Sequence, residues 1–168
     1  MSILLLGHGQ HGKSTVAHML FQQYHLISRD SSFASAEIFL YDMLKNKYGY
    51  NTLQECYKDR VNHRQEWYDL IYAYNTPKTR LATEIFSNSD IYVGMRSNDE
   101  LQACLKEGII NLIIGVYDYK KELESSESFD INIWEVCDFI IPNSGTKDEL
   151  KERVRKLEPL LFIKKFPS

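Results

Sequence analysis

Ile3-Leu4-Leu5-Leu6-Gly7-His8-Gly9-Gln10-His11-Gly12-Lys13-Ser14-Thr15 is the stretch on which the fold turns. Four consecutive apolar residues stop at a glycine. Continuous rather than alternating apolarity predicts a strand buried on both faces, as a parallel sheet requires. Residues 7–14 then match G-x-x-x-x-G-K-[ST], and Lys13 to Tyr24 places Val16, Leu20 and Phe21 or Tyr24 on one helical face. Strand, glycine-rich turn and helix, in that order, is the setting in which this motif, the P-loop, holds phosphate. Inward-turned N–H groups of Gly7, His8, Gly9, Gln10, His11 and Gly12, with the positive end of the following helix, suit phosphate oxygens. Lys13 is expected to reach the β- and γ-phosphates of a nucleoside triphosphate, and the Ser14 hydroxyl to ligate Mg²⁺. His8 and His11 are three apart with no Cys or carboxylate beside them, so a metal site of their own is not expected. His18, on the helix, is expected to be partly buried at the surface.

The alternation continues outward from that unit. Ile91-Tyr92-Val93, Leu112-Ile113-Ile114-Gly115-Val116 and Phe139-Ile140-Ile141 are further short apolar runs, and His25-Leu26-Ile27-Ser28 is the candidate second strand. Ala36 to Lys47, Asp99 to Glu107 with Gly108 as its stop, and Thr146 to Leu157 have helical spacing; Thr146 and Glu149 stand at capping-box distance. Strands alternating with helices predict one α/β domain over 1–168, three-layered, with a mainly parallel sheet of about five strands. Residues 53–87 interrupt the pattern. They read as two or three helices inserted between the second and third strands, the last started by Pro77. Residues 118–129, rich in Ser, Glu and Lys, read as a mobile loop. Leu160 to Phe166 fits a strand or a docking segment.

Composition bounds the rest. With 168 residues, 43% of them apolar, the chain fills one core, which excludes bulk disorder. A formal charge of −3 argues against a dedicated nucleic-acid coat. Three scattered cysteines and no CxxC pair argue against a disulfide scaffold or a Cys-rich zinc site. The opening residues have no basic segment before a short apolar run, and no stretch approaches 18 apolar residues, so neither signal peptide nor membrane span is expected. The cytoplasm is the expected location, the host's if the chain is viral. The 11 Tyr and 8 Phe fit either core or a homodimer face.

The P-loop has several classes. Gly-His-x-x-His-Gly-Lys is similar to the phosphate loop of translation-factor GTPases, but N-K-x-D and D-x-x-G, which those need, are absent from the sequence. A small-molecule kinase fits better, because the helical insertion carries arginines. Arg60 and Arg64 are four apart, on one face if helical, and Trp67 falls on that side where it would stack on a base or simply fill the core. Guanidinium forks suit phosphate bidentately. Arg96 follows the Ile91–Val93 run, at the strand end where open α/β sheets bind ligands; Glu100 is placed to orient it or merely to pair with it.

Gly7 to Thr15, Asp59-Arg60-Val61-Asn62-His63-Arg64 with Trp67, Tyr92-Val93-Gly94-Met95-Arg96 with Glu100, and Asp138 to Thr146 together resemble phage-type deoxynucleoside monophosphate kinases of the P-loop kinase fold. The resemblance covers residues 1 to about 156. It implies that Gly7 to Thr15 bind the phosphates of ATP, that Arg60, Arg64 and Arg96 bind the acceptor, and that Asn143, Gly145 and Thr146 lie near the adenine. It implies an acceptor-binding role for 53–87 and a lid for 118–129. Two positions depart from the family pattern: Ser14 stands where many members have Asp, and the loop offers only Lys120 and Lys121 where many carry arginines.

The family also includes kinases that phosphorylate hydroxymethyluracil bases in phage DNA. A nucleotide phosphate is already anionic near neutral pH and needs positioning more than a base. An alcohol keeps its proton until transfer, so a carboxylate in reach helps. Asp30, in Ser28-Arg29-Asp30-Ser31-Ser32, serves equally as that base, as a water-mediated Mg²⁺ contact or as a helix cap. Asp59 is a second carboxylate. Lys45, Lys47, Lys58, Arg60, Arg64, Lys78 and Arg80 leave room for a local basic channel to DNA. The free deoxynucleotide is the favoured acceptor, and a nucleotide sensor or inhibitor without turnover is the third option.

Overall fold

A computed structural model describes residues 1–163. Five strands, β1 (Ile3–Leu6), β2 (Ser28–Asp30), β3 (Ile91–Val93), β4 (Leu112–Tyr117) and β5 (Phe139–Pro142), form one sheet in the order β2-β3-β1-β4-β5, every neighbouring pair parallel. β1 is central, with Ile3, Leu4, Leu5 and Leu6 all fully buried. Successive strand side chains point to opposite faces. Ile3 and Leu5 therefore pack with Val16 and Leu20 of α1 (Lys13–Tyr24), Leu150 and Val154 of α9 (Lys147–Arg155) and Leu161 of α10 (Glu158–Ile163). Leu4 and Leu6 pack with Leu81 and Ile85 of α6 (Arg80–Phe86) and Leu101 and Cys104 of α7 (Asn98–Lys106). Helices cover both faces, which makes the three layers. Among the described residues no helix is long and apolar enough to cross a membrane.

The second strand lies three residues later than the apolar run at 25–28 suggests. Ser28, Arg29 and Asp30 are not apolar; they form a strand because β3 supplies a pairing edge, with Ser28 opposite Ile91 and Asp30 opposite Val93. The helical insertion also begins earlier than residue 53. From Ser31 the chain is already helical, through α2 (Ser31–Ser35), a π-helical turn (Ala36–Leu40) and α3 (Tyr41–Tyr48). Then come α4 (Leu53–Asp59), a 3₁₀ turn (Arg60–Asn62), α5 (Arg64–Tyr74) and α6. Pro77 precedes α6 by a turn, its carbonyl accepting from the Arg80 amide at 2.9 Å.

These helices enclose a third core of Phe39, Leu40, Leu44, Cys56 and Trp67. Much of the aromatic content goes there: Phe39 and Tyr74 stack at 3.9 Å, and Tyr48, Tyr50 and Tyr57 pack against the cluster. Residues 118–132 link β4 to α8 (Ile133–Val136) without a strand or helix. The expected capping box at Thr146 and Glu149 starts α9, both of its hydrogen bonds being present. The segment at 160–166 is helical as far as Ile163; its remainder lies outside the described residues.

Candidate functional site

β1 and β3 are neighbours in the sheet, yet the helix that follows β1 packs on one face and the helix that follows β3 on the other. The crevice where neighbouring strands send their helices apart is where open α/β sheets bind ligands. Gly7 and Gly94 end the two strands there, and Lys13 and Arg96 follow them.

The turn at 7–12 has a tightly determined course. Gly7 has φ +147°, and a Cβ there would come within 2.4 Å of the Val116 carbonyl oxygen. Gly12, at φ +98°, leads into α1 and lies against Asn143, whose Nδ2 would meet an added Cβ at 2.1 Å. Lys13 curls back over the turn, its Nζ donating to the carbonyl oxygens of Gly7 at 2.8 Å and His8 at 2.7 Å. Burial, then the neighbouring positive charge of Arg96, lower the Lys13 ammonium to about 8, although Glu124 and Asp30 oppose the shift. Ser14 and Thr15 are exposed at the start of α1, where helix amides without intrahelical partners favour anions.

The loop after β4 is fastened onto this turn by the two histidines. The His8 Nδ1 accepts from the Glu124 amide at 3.1 Å. His11 is completely buried; its Nδ1 accepts from the Asp118 amide at 3.1 Å, which leaves Nε2–H to donate to the Glu122 carbonyl at 3.1 Å. Burial and the nearby His11 hold the His8 imidazole below its ordinary value. The Glu124 carboxylate reaches into the turn, Oε2 accepting from the Gly9 amide at 2.6 Å and Oε1 from the Arg96 guanidinium at 2.8 Å. Burial would raise this carboxyl, but the Arg96 hydrogen bond and charge, the Gly9 amide and the Lys13 charge outweigh it and hold the group low. The sequence pattern marked neither Glu124 nor the histidines' role, because both depend on contacts between segments more than a hundred residues apart.

Arg96 thus pairs with Glu124 and not with Glu100. Ser97 stands at the N-cap position of α7, so Arg96 precedes the helix while Glu100 turns inward and is buried. Asn143, Gly145 and Thr146 serve the local architecture: Asn143 Nδ2 donates to the His11 carbonyl at 2.9 Å, Thr146 caps α9, and Gly145 abuts Glu149. Beside them a cleft of about 360 Å³ is lined by Ser14, Thr15, His18, Met19, Gln22 and Lys147. His18 is exposed there, not half-buried.

At the end of β2 the structure shows Asp30 as a cap. Its Oδ1 accepts from the Ser32 and Phe33 amides at 3.0 and 3.1 Å, while Oδ2 lies beside Gly94, within 3.6 Å of where a Cβ would be. Phe33 meets Tyr57 edge-on at 5.1 Å, and the Arg60 guanidinium lies over the Tyr57 ring at 3.9 Å. Arg60 and Arg64 do not share a helix. Asp59 collects hydrogen bonds from the Tyr50 hydroxyl (2.6 Å), Asn62 (2.6 Å) and His63 (3.0 Å), and this knot sets a 3₁₀ turn between α4 and α5. Arg64, at the start of α5, is exposed. Trp67 is only 4% exposed, within the third core, so its ring is not free to stack on a base; its Nε1 is buried without a hydrogen-bond partner. The charges of Arg96 and Asp30 thus both bear on Lys13, Arg60 lies against the Tyr57 ring, Arg64 is exposed and Trp67 is enclosed in the third core.

No protein-family model matches the sequence, and no curated protein matches it. Among solved structures, shikimate kinase from Acinetobacter baumannii, in complex with shikimate, is similar with a TM-score of 0.51 at 14% identity, over 99% of this chain and 95% of that one. The five-strand parallel sheet, its helices and the motif turn are those of the P-loop kinase fold. At this identity the likeness is one of fold.

Proposed function

We propose that the chain is an ATP-dependent phosphotransferase of the nucleotide-kinase type, moving the γ-phosphoryl group of ATP to a deoxynucleoside monophosphate. One observation carries the proposal: the turn and Arg96 together bracket an anion beside Lys13, the Glu124 carboxylate taking the Gly9 amide at 2.6 Å and the Arg96 guanidinium at 2.8 Å. Two cations over a cradle of amides can stabilise charge that builds on a transferring phosphoryl group.

The Gly9 amide already takes a carboxylate oxygen, and this supports a turn whose amides would hold the phosphates of ATP. Ser14 would hold the Mg²⁺ that accompanies ATP, and that ion supplies neutralising charge to the phosphate oxygens. The adenine would lie in the cleft between α1 and the start of α9, beside His18, Gln22 and Lys147, with Asn143, Gly145 and Thr146 shaping its edge. Arg96, Arg60 and, from the exposed start of α5, Arg64 would fix the acceptor phosphate; Trp67 would support that wall from within. The helices from residue 31 to 86 are the proposed acceptor-binding part, and 118–129 the lid.

A second reading has its own observation. Asp30 keeps Oδ2 outside the cap, next to Gly94, where it would take a proton from an alcohol. That favours a hydroxymethylated base in DNA as acceptor. Against it, three of the seven basic residues of the insertion are paired with carboxylates: Lys45 with Asp42, Lys47 with Glu66 and Arg80 with Glu84. Labelled ATP offered with deoxynucleoside monophosphates, with hydroxymethyluracil-containing DNA, and with neither distinguishes these readings. Label on a monophosphate supports the proposal, label on DNA supports the second reading, and bound ATP with no transfer leaves a sensor.

A further inference from the structure

We infer that Glu124 is a built-in competitor for the phosphate cradle, a carboxylate that nucleotide phosphates must displace to bind. The inference rests on the turn being a nucleotide site, and adds to that reading a self-inhibiting contact. Phosphate oxygens and carboxylate oxygens recognise the same partners, namely backbone N–H groups and guanidinium forks. Glu124 engages one of each, with Oε2 on the Gly9 amide at 2.6 Å and Oε1 on Arg96 at 2.8 Å. The Lys13 ammonium, the third cation-like element of the cradle, lies close enough to favour the ionised carboxylate.

The contact has a built delivery. His8 accepts from the backbone amide of Glu124 itself, His11 holds the loop at Asp118 and Glu122, and Arg96 also donates to the Ser128 carbonyl at 3.2 Å. Four attachments over eleven residues place one acidic side chain in an anion site. The neighbouring Glu122 and Glu127 side chains are exposed. A loop that only needed to cover the turn would not require its carboxylate on the Gly9 amide. A guard of this kind lowers apparent affinity by the fraction of molecules in which it is closed; nine closed in ten means about ten-fold.

The experiment is calorimetric titration of Mg-ATP, and separately of pyrophosphate, into the wild-type chain, Glu124→Gln, Glu124→Ala and the control Glu127→Gln. Both Glu124 variants should bind each ligand about ten-fold more tightly, with Glu127→Gln matching wild type. Gln keeps the size and an acceptor oxygen, so it retains the fold if Ala does not. Wild-type binding with equal or weaker binding by folded Glu124→Gln overturns the guard alone. Absence of binding to every variant, Glu124→Ala included, overturns the nucleotide site together with it.

Discussion

Tyr92 donates its hydroxyl to Glu100 Oε1 at 3.0 Å, and both side chains are sealed between β3 and α7. Ser31 lies on the other side of the same hydroxyl at 3.3 Å, so the pair ties the start of the helical insertion to the sheet. Burial drives the Glu100 carboxyl up to about 7, against the pull of Tyr92, Lys78 and Asn75. Between pH 4.5 and 7 the unfolded chain has lost this proton and the native one keeps it, so stability falls as pH rises through that window. At about 1.4 kcal/mol per pH unit, the full effect is about 3 kcal/mol. Urea denaturation at pH 5 and pH 8 should show Glu100→Gln gaining on wild type at the higher pH by an amount of this order. An identical pH dependence in the two proteins would remove the assignment.

Lys13→Ala should lower phosphoryl transfer by about 10²–10³-fold or more, since a preorganised cation is lost where charge develops. The fold should survive, because the lysine bonds only to the carbonyls of Gly7 and His8, which water can satisfy. Steady-state turnover and a melting curve check the two halves separately.

Asp30 can be probed in its two capacities by two substitutions. Asn caps helices as well as Asp does, so Asp30→Asn should keep stability, whereas Asp30→Ala should lose about 1 kcal/mol from the start of α2. With a phosphate acceptor, Asp30→Asn should change the rate little. With an alcohol acceptor the loss should be about 10²–10⁴-fold, at nearly constant KM.

His8 must be neutral at Nδ1 to accept the Glu124 amide. Its folded pKa lies below 6.5, through burial and the His11, Lys13 and Arg96 neighbours, with Glu124 opposing. The unfolded state then binds more protons in the window below 6.5, so this docking contributes fully above 6.5 and is lost as pH falls through the folded value. Ring-proton NMR should give a His8 midpoint below 6.5. A midpoint at or above it would mean that the loop is not held there.

Much of this was legible in local pattern and the rest was not, for identifiable reasons. β1, the turn and α1 are encoded by contiguous residues, and so were readable. β2 is not readable at its true place, because its polar Ser28-Arg29-Asp30 becomes a strand only against β3. Arg60 and Arg64 looked like one helical face because spacing cannot reveal that Asp59 gathers Tyr50, Asn62 and His63 into a helix break. Trp67, at its spacing from Arg60, reads more readily as a stacking platform than as a core residue, and the packing of α4 and α5 decides for core. Arg96 follows the end of β3 as its sequence position implies, but its partner comes from a loop with no periodicity to read.

Among the described residues, the third core beneath the insertion touches the sheet's second hydrophobic layer only through Ile38 and Ile71, which pack against both. Phe39, Leu44, Cys56 and Trp67 are otherwise enclosed by the insertion's own side chains, Tyr48, Tyr57 and Leu70 among them. Substitutions within residues 31–86 are therefore absorbed largely by that core, so the region can drift in sequence while β1 and the turn after it keep their shape.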